Sequence, residues 1–247
     1  MNQQILQHIL QIKTDHPFWG YRRVCAYIRN KCNLIINKKR VYRLMKNNNL
    51  LCPKNNRLKA KRTETKSKPR ADKPNQIWGI DMTKIMIPSH GWAYLHVVLD
   101  WYSKKIVGWS INNNSKTQVW IDALEMAVMK QLPSGTRENK NLQLVSDNGS
   151  QPTSKTFARH CKLLKINQIF TSYSNPKGNA DTERVMRTIK EELVFINEFK
   201  SLKHFEERFD EWAKWYNEEY PHSSLGYKPP YQVEREYVNK NIILNYA

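Results

Sequence analysis

Asn141-Leu-Gln-Leu-Val-Ser-Asp147-Asn-Gly-Ser-Gln151 and, further on, Gly178-Asn-Ala-Asp181-Thr-Glu183-Arg-Val-Met-Arg187-Thr-Ile-Lys190 decide how this chain folds. Leu142, Leu144 and Val145 form a short apolar run that stops at Asp147 and turns through Asn148-Gly149. That pattern predicts a buried strand ending in a carboxylate. The second part opens a helix with Glu183 in its first turn, and Arg187 and Lys190 follow at i+4 and i+7 on the same face. Thirty-five residues separate Asp147 from Glu183, and a third carboxylate, Asp81, lies upstream in Gln76-Ile-Trp-Gly-Ile-Asp-Met-Thr83.

Outward from this stretch the chain reads as alternating elements. Ile77 to Ile87, Trp92 to Trp101 and Lys105 to Ile111 are strand-like runs separated by Pro88-Ser-His-Gly91 and Tyr102-Ser-Lys104, so they predict antiparallel neighbours. Thr117 to Gln131 predicts a helix, with Trp120, Leu124 and Val128 on one stripe. The strand ending at Asp147, a helix from Pro152 to Leu164, a strand from Ile166 to Phe170 and the Glu183 helix complete the series. The fold class is α/β, a mixed sheet flanked by helices. After Ser201, Phe205, Phe209, Trp212 and Tyr216 mark a further helix whose stripe is core packing.

Charge divides the chain differently. The formal net charge is +19; residues 1–75 carry +16 of it and residues 76–247 only +3. A small basic region ahead of a nearly balanced domain points to a polyanion-binding unit. Residues 1–50 read as helical, with Val24 and Ile28 four apart in one helix. Val41, Leu44 and Met45 line a second, for which Asn37 is the expected N-cap. Two short helices in tight succession form a small helix-turn-helix-like domain, 1–52, whose second helix offers Lys38, Lys39, Arg40 and Arg43 to a DNA groove. Residues 53–76 have few apolar side chains and many basic ones, and predict a basic linker. The four cysteines lack paired spacing and read as reduced thiols. His8, His16, Cys25 and Cys32 are too irregularly spaced for a zinc site and read as ordinary packing. No apolar run suits a membrane span, so a cytoplasmic location is expected.

Asp81, then Asp147 and Glu183 at this spacing with a basic residue seven positions on, resembles the acidic triad of DDE transposases and retroviral-type integrases. The basic helices are similar to the segment preceding the catalytic core in second-reading-frame transposases of bacterial insertion sequences. Tyr216-Asn-Glu-Glu-Tyr-Pro-His-Ser-Ser-Leu-Gly-Tyr-Lys-Pro-Pro230 looks like that family's tail motif. The resemblance implies a ribonuclease-H-like core over 77–230 with a C-terminal tail, 231–247. It also implies that Asp81, Asp147 and Glu183 are both catalytic and metal-holding, for Mg²⁺ with Mn²⁺ as substitute. Lys190 and Arg187 would then face phosphates of a bound DNA end, with Ser146, Asn148 and the Asn175–Asn179 loop beside them. Double-stranded DNA as element ends and target, a homo-oligomer on that DNA and a companion or fused upstream reading-frame product are the expected partners. A nuclease or resolvase without strand transfer, and a DNA-binding regulator with an inactive core, are the other readings. Asp100 reads as a turn residue and Asp181 as an N-cap.

Overall fold

The computed structural model describes residues 2–53, 70–135, 141–171 and 179–245, with side chains to residue 241. Most of the expected linker and most of the Asn175–Asn179 loop therefore lie outside the described residues. The chain divides into two compact units.

The first unit holds α1 (Asn2–Asp15), α2 (Tyr21–Cys32) and α3 (Lys38–Asn47) together with Tyr220–Pro229. Ile5, Ile9 and Ile12 recur at helical spacing on α1 and are buried with Val24 and Ile28 of α2 and Val41 and Met45 of α3. The side chain of Asn37 accepts a hydrogen bond from the Lys39 amide at 2.8 Å, capping α3 as the sequence predicts. The side chains weighed for zinc go separate ways. His16 stacks on Trp19 with ring centres 4.0 Å apart, the buried Cys25 donates to the Ile36 carbonyl, and His8 and Cys32 stand 4.0 Å apart. Tyr220–Pro229, the end of the stretch 77–230, packs with these helices. The reason is aromatic: the Tyr220 ring sits edge-on to Trp19 at 6.0 Å, and the Arg23 guanidinium lies 4.7 Å from its centre.

The second unit is built on a five-stranded sheet of order β3-β2-β1-β4-β5: β1 (Ile77–Ile87), β2 (Gly91–Asp100), β3 (Ile106–Asn112), β4 (Gln143–Ser146) and β5 (Asn167–Phe170). β1, β2 and β3 pair antiparallel; β4 runs parallel to β1, and β5 parallel to β4. Trp78, Ile80, Val98 and Leu144 point to one face, where they pack on Trp120, Leu124 and Ala127 of α4 (Thr117–Gln131) and Phe157 and Cys161 of α5 (Lys155–Leu163). Each large side chain buried there contributes roughly 1.5–3 kcal/mol. α5 starts at Lys155, later than Pro152, because Ser154 caps it by accepting from the Phe157 amide.

The opposite face of β1 receives α6 (Ala180–Ile189), and the chain continues without a break into a π-helical turn, Lys190–Val194. α7 (Leu202–Glu219) buries Phe205, Phe209, Trp212 and Tyr216, as their spacing predicts. The residues beyond Pro230, expected as a tail, form a helix, α8 (Pro230–Asn245). Pro230 suits the first helical position, where its missing amide costs nothing. An ion pair between Glu234 and Lys105 at 2.6 Å ties α8 to the start of β3.

Candidate active site

The sheet register brings the first two carboxylates level. Gly79 pairs with Val145 across the parallel β1–β4 ladder. Two residues further along each chain are Asp81 and Asp147, and the two-residue period of a strand keeps Asp81 on the face that α6 covers. β4 ends at Ser146, so Asp147 stands just past the strand, exposed, where it turns the chain by accepting the Gly149 amide at 3.0 Å. Asn148 donates its side-chain amide to the Thr171 carbonyl, holding that turn against the end of β5.

The third carboxylate arrives on α6. Glu183 lies in its first turn, exposed, and Arg187 is exposed one turn on. Lys190 is half-buried at the junction where the α-helix widens into the π-turn, which closes with the Phe195 amide donating to the Lys190 carbonyl at 2.9 Å. Two α-turns separate Glu183 from Lys190, so the pair stay in phase before the widening begins.

The electrostatics of Asp81 register this convergence. Burial pushes its carboxyl up to about 7. The Met82 amide, donating at 2.8 Å, acts against that shift, the charges of Asp147 and Glu183 add to it, and Lys190 opposes it. Residues from one strand, the turn after another and the helix beyond, more than 100 positions apart in the chain, thus influence one carboxyl. Among the described residues, no three acidic, His or Cys side chains are drawn together tightly enough to hold an ion as they stand. The donor set nonetheless suits a hard divalent cation. It consists of carboxylate oxygens whose mutual repulsion and partial burial such an ion would relieve.

The two other acids nearby are otherwise engaged. Asp100 is buried; one carboxylate oxygen accepts from the Ser103 amide and hydroxyl, each at 2.7 Å, and the other from the Asn75 amide at 2.8 Å. It is the internal brace of the β2–β3 turn. Asp181 is not the N-cap of α6, because Asn179 takes that position, without a side-chain cap bond. Asp181 instead pairs with Lys104 at 2.7 Å. A cap depends on local spacing alone, whereas the choice of Asp181 depends on a lysine 77 residues away.

In the helical unit, Lys38, Lys39 and Arg43 are exposed on α3. Lys46, which sequence reasoning did not single out, shares their exposure, and its place at i+7 from Lys39 was the available signal. Arg40 differs. Its guanidinium donates twice to the Asn2 side-chain oxygen, at 2.9 and 2.6 Å, fastening α3 to the start of α1.

Comparison with known proteins agrees with this architecture. Residues 71–176 and 164–230 each match a model described as an integrase core domain, and residues 1–57 match an HTH-like domain. The chain carries an integrase core behind an HTH-like domain. It is 27% identical over 249 aligned positions to the transposase InsD of insertion element IS2D from Escherichia coli K12, covering 96% of this chain and 78% of that protein. Among solved structures, the integrase-core fold is shared with a chain of the simian T-cell lymphotropic virus intasome in complex with the PP2A regulatory subunit B56 gamma. That match has a TM-score of 0.53 at 16% identity, over 85% of this chain and 73% of that one. The HTLV-2 integrase catalytic core, solved in complex with magnesium in a trimeric form, aligns at a TM-score of 0.50 and 17% identity, over 67% and 99%. The mixed sheet is therefore the ribonuclease-H-like sheet of integrase cores. No helix among the described residues is long and apolar enough to cross a membrane.

Proposed function

We propose that this protein is a transposase that cleaves DNA at the ends of an insertion sequence and joins the freed 3′-OH to target DNA. The observation that carries the reading is the β1–β4 register, which brings Asp81 and Asp147 level, with Glu183 in the first turn of α6, in a core of the integrase type. Burial first, and then the charges of Asp147 and Glu183, raise the pKa of Asp81, and Lys190 acts against them. Asp81, Asp147 and Glu183 would hold Mg²⁺, or Mn²⁺ in its place. The bound ion supplies activation of the attacking oxygen and neutralises charge on the reacting phosphate. The magnesium complex of the HTLV-2 core supports that choice of ion.

The remaining parts follow from where the charges stand. Lys38, Lys39 and Arg43 grip the phosphates of duplex DNA, while Arg40 keeps α3 on α1. Lys190 and Arg187 hold phosphates of the DNA end beside the carboxylates, with Ser146 and Asn148 flanking Asp147. Water attacks the phosphodiester at the element end and expels the 3′ oxygen. That 3′-OH then attacks a target phosphodiester and displaces the target's own 3′ oxygen. Residues 1–52 act as the DNA-binding part and 77–230 as the catalytic part, joined by 53–76. Paired ends call for more than one copy of the chain, in keeping with relatives solved as an intasome and as a trimer. The reaction runs in the bacterial cytoplasm, where the DNA is.

Incubation of the full chain with labelled candidate element ends and Mg²⁺ tests the proposal. Joined products that vanish with chelator support it. Cleaved products that never join point to a nuclease or resolvase, and DNA binding without either product points to a regulator.

A further inference from the structure

We propose that Gly79 and the β2–β3 turn form a clasp that sets Glu183 against Asp81, with Trp101, Lys104 and Thr182 as positioning residues for the carboxylate site. The inference rests on the reading of Asp81, Asp147 and Glu183 as one metal-holding set, and adds what holds the set together.

Gly79 lies two residues before Asp81 on β1 and shares its face. A Cβ at that position would fall 2.1 Å from the Thr182 hydroxyl oxygen, 2.4 Å from Trp101 Nε1 and 3.1 Å from Asn179 Oδ1. No residue with a side chain fits there, so glycine lets α6 approach β1 more closely than any other residue would. The hydroxyl it accommodates belongs to Thr182, immediately before Glu183.

Two further bonds fix the same turn of α6. Trp101 Nε1 donates to the Thr182 hydroxyl at 3.2 Å, with both residues buried. Lys104 Nζ pairs with Asp181 at 2.7 Å and also donates to the Trp101 carbonyl. The turn that presents Trp101 and Lys104 is itself braced. Asp100 gathers Ser103 and Asn75, Lys104 adopts a left-handed φ of 61°, and the Tyr216 hydroxyl donates to the Lys104 carbonyl at 3.1 Å. The close approach is kept even though Asn179 Oδ1 is buried with no hydrogen-bond partner among the described residues, an arrangement proteins seldom tolerate without return. Asp181 and Thr182 are therefore both anchored to a turn outside the acidic set. Glu183 has no freedom to slide along β1 relative to Asp81.

The test uses the full chain, with Mn²⁺ affinity from calorimetry beside the cleavage rate and the melting temperature. Thr182→Val keeps the shape and removes the acceptor for Trp101, and Thr182→Ser keeps the acceptor. Displacing reacting groups by about 1 Å costs on the order of 10²-fold in rate. Gly79→Ala is accordingly expected to slow cleavage about 100-fold. Thr182→Val should slow it about 10-fold and weaken Mn²⁺ binding several-fold, with the melting temperature lower by a few degrees because the buried Trp101 donor loses its acceptor, and Thr182→Ser should restore all three. If Gly79→Ala fails to fold, the two Thr182 variants decide. Wild-type Mn²⁺ affinity and cleavage in a folded Thr182→Val protein overturn the clasp while leaving the metal reading intact. Equal Mn²⁺ binding by the wild type and by Asp81→Asn overturns the metal reading, and the clasp with it.

Discussion

The exposed face of α3 and the covered face of β1 both present charged side chains, and they do so under opposite constraints. Lys38, Lys39 and Arg43 stand in water on a helix whose other side is packed through Val41 and Met45. Their charge costs the fold nothing and is free to meet phosphate. Asp81 sits among apolar strands, and its charge is opposed by burial and by two other carboxylates. A charged group of the first kind is neutral toward stability and matters only to binding. A group of the second kind is retained against the interest of the fold, and that opposition marks a site.

The strongest way to break the contrast is to remove the Asp81 charge. Asp81→Asn, like Asp147→Asn and Glu183→Gln, is expected to abolish cleavage and joining while duplex binding persists. Stability should move the other way. The folded-state pKa of about 7 lies above the ordinary 3.8, so the ionised carboxylate is stabilised less in the fold than in the unfolded chain. Its favourable contribution is complete below pH 3.8 and is lost as pH rises through 7. Without divalent ions, Asp81→Asn should melt several degrees above the wild type at pH 8, the gap closing toward pH 4. A wild type that melts higher at pH 8 in metal-free buffer would show that Asp81 carries a stabilising charge, contrary to this account.

Much of this is legible in the sequence. The runs Ile77–Ile87 and Thr117–Gln131 coincide with β1 and α4 because strand and helix periodicities are local properties of sequence. The candidate acids stood out by spacing and by resemblance, and the register of Gly79 with Val145 aligns two of them. What escaped was non-local. Asp181 pairs with Lys104, Tyr220 packs against Trp19 from 201 positions away, and Gly79 is pressed by Thr182. A glycine inside a strand pattern was the one available hint of the last of these.

Lys190 stands between the two kinds of charge, half-buried and close enough to Asp81 to lower its pKa. Lys190→Ala should reduce crosslinking to the terminal nucleotides of the element about tenfold and leave Mn²⁺ affinity nearly unchanged. It should also move the acid limb of the pH–rate profile upward, because Asp81 loses a charge that favours its ionised form. A large loss of Mn²⁺ affinity with unchanged crosslinking would make Lys190 part of the metal-holding set.

The finest test lies within α3, where two arginines three residues apart fall on opposite sides of the comparison. Arg43 is exposed, and Arg40 is bonded twice to Asn2. Each phosphate neutralised by a basic side chain contributes roughly 0.9 to the dependence of log affinity on log salt. Arg43→Gln should therefore lower the salt slope of duplex binding by about 0.9 and leave the melting temperature alone. Arg40→Gln should keep the slope and cost about 1 kcal/mol of stability, the usual worth of a partly exposed hydrogen bond. Substitution is a cleaner probe than removal of residues 1–70, because that deletion also takes Trp19 and Arg23 from the Tyr220 ring and exposes it. If Arg40→Gln lowers the slope as much as Arg43→Gln does, Arg40 leaves Asn2 to reach phosphate when DNA binds. The start of α1 would then be released in the complex, and Asn2→Ala should raise duplex affinity rather than merely loosen the helix.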